Sequence, residues 1–132
     1  MILAWLISIV TLVFGVFLHL VNISYLAEKI MVKTSKQMVV TPCVVLIAVI
    51  SQIIIAGLFM CSYLLGISLG LGGFKELSTV TDIFYFSLTT ITTLGLGSVE
   101  PTGHLRMLAG VESATGFLLI SCSAQKVFST IK

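Results

Sequence analysis

"TTITTLGLGSVEP" occupies residues 89 to 101 and interrupts an otherwise apolar chain with four threonines, two glycines one residue apart, a glutamate and a proline. The chain around it has 132 residues, 58% hydrophobic and 9% charged, with a mean hydropathy of +1.19. Seven Lys and Arg with five Asp and Glu cannot cover the surface of a soluble domain of that size. The composition therefore predicts an integral membrane protein. A net charge of +2 without a basic cluster does not argue for nucleic acid as a partner. Cys43, Cys61 and Cys122 lie far apart inside apolar runs and lack metal-ligand spacing, so they are expected to be small buried apolar residues.

Working outward from the quoted stretch, three apolar runs are long enough for the roughly 20 residues a helix needs to cross hydrocarbon. The first is Ile2 to Ile23, with His19 as a polar side chain at depth, expected to hydrogen-bond between helices. A polar connection, Ser24 to Gln37, follows. The second span runs from about Val39 to Leu69, where Thr41-Pro42 suits a first helical turn because Pro loses no hydrogen bond there. The third is Leu105 to Phe128. Between the last two lies "DIFYFSLTTITT", residues 82 to 93, apolar and aromatic but too short to span.

Lysines set the expected orientation. Lys29, Lys33, Lys36, Lys126 and Lys132 share one side of a three-span chain, against Lys75 and Arg106 on the other. The positive-inside rule places the N-terminus outside, the C-terminus in the cytoplasm and residues 70–104 facing outward. The expected location is the plasma or bacterial inner membrane, crossed several times, with membrane lipid as a partner.

A short apolar helix, a loop and a full span together read as a re-entrant hairpin, whose non-helical backbone must be buried in protein or line water. Thr79-x-x-Asp82 reads as a capping box at its start. Its other end, near Thr92, then directs partial negative charge toward the membrane centre, where a cation is favoured. In the loop Thr93-Leu94-Gly95-Leu96-Gly97, glycines can take left-handed backbone conformations without penalty while leucines point outward into packing. Successive carbonyls then aim at one axis, and Thr93 adds a hydroxyl oxygen. Rings of carbonyls that replace a hydration shell are how potassium filters conduct. One loop cannot encircle an ion, so the reading requires a cyclic homo-oligomer.

The stretch resembles the signature of the potassium-channel pore module, T-T-V-G-Y-G-D-x-x-P, matching at Thr92, Thr93, Gly95, Gly97 and Pro101. The resemblance extends over roughly residues 39 to 128, through the aromatic "IFYFS" before the loop and the helix after it. It implies an all-α membrane protein with three transmembrane helices, a re-entrant pore helix and a selectivity-filter loop, assembled as a homotetramer. Residues 1–38 would supply the first helix and a cytoplasmic loop, and residues 39–132 the pore module. The implied activity is a potassium-preferring cation channel. K+ would sit at Thr93, Leu94, Gly95 and Leu96; monovalent cations are the permeant ligands, and neither a cofactor nor an enzyme activity is implied.

Two departures stand out: Leu96 replaces the usual Tyr and Ser98 the usual Asp. GLG filters occur in animal two-pore channels of this superfamily. Glu100 is expected to restore the mouth charge, and Tyr85 to offer the hydrogen bond that Leu96 cannot. Glu112 is the one acid within a span: either a brace to the back of the short helix at Ser87 or Thr89, or a hydrated carboxyl near the interface. Gly116 serves a hinge or close packing. Phe117, Ile120, Ser121 and Ala124 recur at helical spacing and either line a cavity or form a packed face. The rival readings are a nonselective cation channel and a small membrane enzyme or accessory subunit. Against an enzyme stand two widely separated histidines and the absence of G-x-S-x-G.

Overall fold

The computed structural model describes residues 1–33, 36–76, 78–95 and 98–131. Four helices follow in chain order: α1 (Ile2–Lys33), α2 (Gln37–Ser68), α3 (Val80–Ile91) and α4 (Leu105–Thr130). α1, α2 and α4 are each long and apolar enough to cross a membrane, whereas α3 has 12 residues.

α1 does not stop at Ile23. "SYLAEKIMVK" continues the helix to Lys33, so most of the expected polar loop is helical. Leu, Ala, Glu, Lys and Met are good helix formers, and the segment contains neither Gly nor Pro to end the helix. α2 starts at Gln37, so Pro42 is its sixth residue and not in its first turn, and the bond its nitrogen would have donated to the Met38 carbonyl is lost.

α2 and α4 pack together, and α1 and α3 each pack against both of them. The buried stripe of α1 is its small and polar one, including Ala4, Ser8, Thr11, Gly15 and His19, while Phe14, Phe17 and Val10 stay outside. That inversion suits a helix in lipid. Apolar tails give large side chains no reason to turn inward, so small residues and interhelical hydrogen bonds make the joint. Thr11 and Ser62 bond at 2.7 Å, and His19 meets Ser51 of α2 at 2.9 Å and Ser123 of α4 at 3.0 Å.

The main apolar core lies nearer the α3 end, where Ile55, Phe59, Tyr63, Ile83, Ile91, Leu105 and Leu119 are buried together. A smaller cluster, Ala27, Val40 and Val44, closes the opposite end. Cys61 and Cys122 are exposed and Cys43 half-buried, against the expectation of buried thiols. They sit on outward faces of apolar helices, where lipid rather than protein would surround them.

Candidate functional site

α3 starts as the sequence predicts. Thr79 caps it: the Asp82 N–H donates to the Thr79 hydroxyl, and the Asp82 carboxylate accepts from the Thr79 N–H at 2.8 Å and hydroxyl at 2.7 Å. Those donors hold the Asp82 carboxyl below its ordinary range, the hydroxyl first and the backbone second. Just outside α3, the loop after α2 is clipped to the loop before α4. The Lys75 N–H donates to the Glu100 carbonyl at 3.0 Å, and the Thr102 N–H donates to the Gly73 carbonyl at 2.7 Å. Lys75 also forms an ion pair with Glu100, lowering the Glu100 carboxyl by hydrogen bond first and charge second.

The C-terminal end of α3 turns directly into the Gly-bearing stretch. The Leu94 and Gly95 N–H groups both donate to the Thr89 carbonyl, at 2.9 and 3.1 Å. Thr93 has φ +58° and Gly95 φ +63°, while Leu94 between them is not left-handed. Of the two glycines expected to be left-handed, Gly95 is, and Thr93 two residues earlier is as well. Left-handed backbone strains a β-branched residue, and such strain persists only where surrounding contacts impose it. Here the α3 carbonyls, bonded by the N–H groups on either side of the turn, impose it.

The threonines divide by task. Thr89, Thr90 and Thr92 return their hydroxyls to carbonyls of their own helix, at Phe86, Phe86 and Leu88. The Thr93 side chain is exposed and makes no hydrogen bond among the described residues. Leu94 is 62% exposed, so no packing within one chain receives it. Leu96 and Gly97, the other two residues expected at the filter, lie outside the described residues.

Behind this turn α4 supplies two contacts. Gly116 passes so close to the end of α3 that any Cβ there would collide with the Ile91 carbonyl. Close packing is thus a role the geometry gives this glycine. One turn earlier, Glu112 is fully buried. The Tyr63 hydroxyl of α2 donates to its Oε2 at 2.6 Å, and Ser87 of α3 meets its Oε1. Ser87 also donates to the Ala56 carbonyl at 2.7 Å. Ser87 carries one hydroxyl hydrogen for two acceptors, so the set is complete only when the carboxyl brings a proton of its own.

Glu112 therefore joins α2, α3 and α4 at one point. Of the two partners considered from sequence, Ser87 touches it; Thr89 instead bonds to Phe86. Tyr63 is the residue sequence reading missed. Its signal was a phenol within an apolar span, which at depth needs a partner for its hydroxyl. Its ring also meets Phe74 at a tilt and Phe86 edge-on, centroids 5.8 and 5.6 Å away.

Tyr85, expected to hold the loop, is 53% exposed and makes no hydrogen bond among the described residues. α3 buries Ile83, Ser87 and Ile91, and helical spacing puts Tyr85 on the other face. Ser98 is exposed, and Glu100 is engaged by Lys75 rather than free. Phe117, Ile120, Ser121 and Ala124 are all exposed, opposite the α4 face that buries Glu112, Gly116, Leu119 and Ser123.

Three apolar spans, two of them packed against a short capped helix, define an all-helical membrane protein. A family model described as an ion channel matches residues 43–132, well over half of the chain. The chain belongs to that ion-channel family, within the superfamily of channel pore modules. Neither the curated proteins nor the solved structures gave a match.

Proposed function

We propose that the chain is one subunit of a homotetrameric, potassium-preferring cation channel, with residues 93 to 97 as its filter. The observation that carries this reading is the backbone at 93 to 95, left-handed at alternate residues directly after a helix too short to span. Alternation of this kind turns successive carbonyls toward one side, and four such strands around an axis replace a hydration shell. The Thr93 hydroxyl contributes a further oxygen.

In this reading α3 is re-entrant, and the exposed face with Phe117, Ile120, Ser121 and Ala124 turns toward the axis. Exposed Leu94 packs only when neighbouring copies close the ring. Lys29, Lys33, Lys36 and Lys126 mark the cytoplasmic end, so the N-terminus lies outside a cell membrane crossed three times. The residues behind the filter are Glu112, Ser87 and Tyr63.

A nonselective cation channel is the second reading. It is favoured by the missing lateral bonds: Tyr85 is turned away and Ser98 is exposed. Purified protein in liposomes, with K+ and Na+ on opposite sides, separates the two. A K+-preferring filter gives a reversal potential displaced toward that of K+, and Gly95→Ala abolishes flux. A reversal potential near zero sinks the selective version, and no flux with either ion sinks the channel.

A further inference from the structure

Below the His19 joint, α1 and α4 part to leave a groove of about 250 Å³. Both helices run in the same direction, so depth can be read along either. The deeper part is lined by Leu20, Ile23 and Cys122; the part nearer the helix ends is lined by Ser24, Gln125, Lys126 and Ser129. From Cys122 to Lys126 is one helical turn, about 6 Å. Within that distance the wall changes from apolar to polar, as a phospholipid does between acyl chain and headgroup.

Of the four polar side chains there, only Ser129 is engaged among the described residues, its hydroxyl donating to the Lys126 carbonyl at 2.7 Å. Among the described residues the only ion pair is Lys75–Glu100, and the side chains of Ser24, Gln125 and Lys126 make no hydrogen bond. Lys126 is half-buried and lines the groove, as a long cationic side chain does when its stem covers apolar surface. Lys29, Lys33 and Lys36 lie toward the same end of the bundle, against the single acid Glu28. The net field there is positive, and an anionic headgroup complements it.

We propose that this groove binds one anionic phospholipid of the adjoining leaflet. Its phosphate lies at Lys126 with Ser24 and Gln125, and the first part of one acyl chain lies over Leu20, Ile23 and Cys122. A bound lipid would join the first helix to the last, beside the His19–Ser123 contact. The inference rests on the three helices crossing a bilayer, not on which ion passes. Flux failing with the lipid still bound defeats only the channel reading; flux intact with no lipid bound defeats only the groove.

Cys122 lines the groove, while Cys61 is exposed elsewhere and serves as an internal control. The full chain is placed in nanodiscs of phosphatidylcholine, alone or with phosphatidylglycerol at equal total lipid. Alkylation of each cysteine by a maleimide is then timed by peptide mass. Phosphatidylglycerol should slow Cys122 about fivefold, the size expected for one lysine at an anionic surface, and leave Cys61 unchanged. Lys126→Gln should remove the slowing and Lys126→Arg should keep it.

Equal Cys122 rates in the two lipids overturn the proposal on the unmodified chain alone, whether or not either variant folds. Slowing that survives Lys126→Gln, or that appears equally at Cys61, also overturns it. Inorganic phosphate reproducing the slowing in phosphatidylcholine would assign a free anion instead. A rate that falls with protein density and not with lipid charge would assign a second copy of the chain.

Discussion

Two buried polar clusters hold this molecule together, and they are built on opposite principles. In the first, Glu112 of α4 draws in Tyr63 of α2 and Ser87 of α3. In the second, His19 of α1 reaches Ser51 of α2 and Ser123 of α4. Each ties three helices through one central residue. They differ in what the partners do when the centre is removed. Ser123 already bonds the Leu119 carbonyl of its own helix, and Ser51, four residues past Ile47, can fall back in the same way. Tyr63 has no such carbonyl within reach of its ring, so its hydroxyl is stranded. The first cluster is brittle and sits behind the proposed filter. The second is forgiving and fixes only the added helix.

Glu112→Ala is the largest test of that difference. It leaves the Tyr63 hydroxyl unpaired and a cavity between three helices, together costing about 4 kcal/mol. Thermal unfolding in detergent should show it, and flux should be lost. Glu112→Gln should retain most of both, because its amide can donate to Ser87 while its oxygen accepts from Tyr63. Equal damage from Gln and Ala would mean that the carboxylate charge, not the hydrogen-bond set, is what matters. Gly116→Ala attacks the same joint sterically. A methyl group driven against the Ile91 carbonyl costs about 1–3 kcal/mol and displaces the end of α3. A variant that unfolds at the same temperature as the parent and conducts normally would show that α3 has room to move.

How far the sequence reveals these sites follows from the range of the contacts. The capping box of α3 is legible because Thr79 and Asp82 are three residues apart. Glu112 is legible as a lone carboxyl in an apolar run, and Ser87 as a nearby polar residue on the short helix. Tyr63 is not, because its bond to Glu112 spans 49 positions of sequence and depends on how α2 rotates. Tyr85 misled for the converse reason: its place in the aromatic run is right, but the face is set by α3 packing through Ile83, Ser87 and Ile91. The left-handed Thr93 is likewise invisible to a rule that reserves positive φ for glycine. The end of α1 is hard to read because charged residues suggest a loop, yet lysines and glutamate extend a helix well.

His19→Leu should have a smaller effect than either change at α4. Interhelical hydrogen bonds in membrane proteins average about 0.6 kcal/mol, and the serines retain local acceptors. We expect a loss of about 1 kcal/mol in unfolding stability with flux preserved. A loss as large as that of Glu112→Ala would erase the distinction between the clusters, making the first helix integral to the conducting part.

The smallest effect belongs to a polar contact that is neither buried nor shared among helices, the Lys75–Glu100 pair on the outer loops. Both side chains are about 60% exposed, so water and salt screen most of their attraction. Lys75 nevertheless holds the Glu100 carboxyl below its ordinary value of 4.5. For a carboxylate with a lowered folded value, the stabilisation is present above the ordinary value and disappears as pH falls through the folded one. The unfolding temperature should therefore drop on acidification below 4.5, and Lys75→Gln should flatten part of that drop while leaving neutral pH almost unchanged. Asp82 contributes in the same direction through Thr79, so the flattening is incomplete; Thr79→Ala in the same chain should remove much of the rest. High salt should shrink the Lys75 effect more than the Thr79 effect, because an ion pair is screened and a hydrogen bond to a hydroxyl is not. Equal salt sensitivity of the two would mean that the outer loops are held by their backbone bonds, Thr102 to Gly73 above all, and that the surface charges merely accompany them.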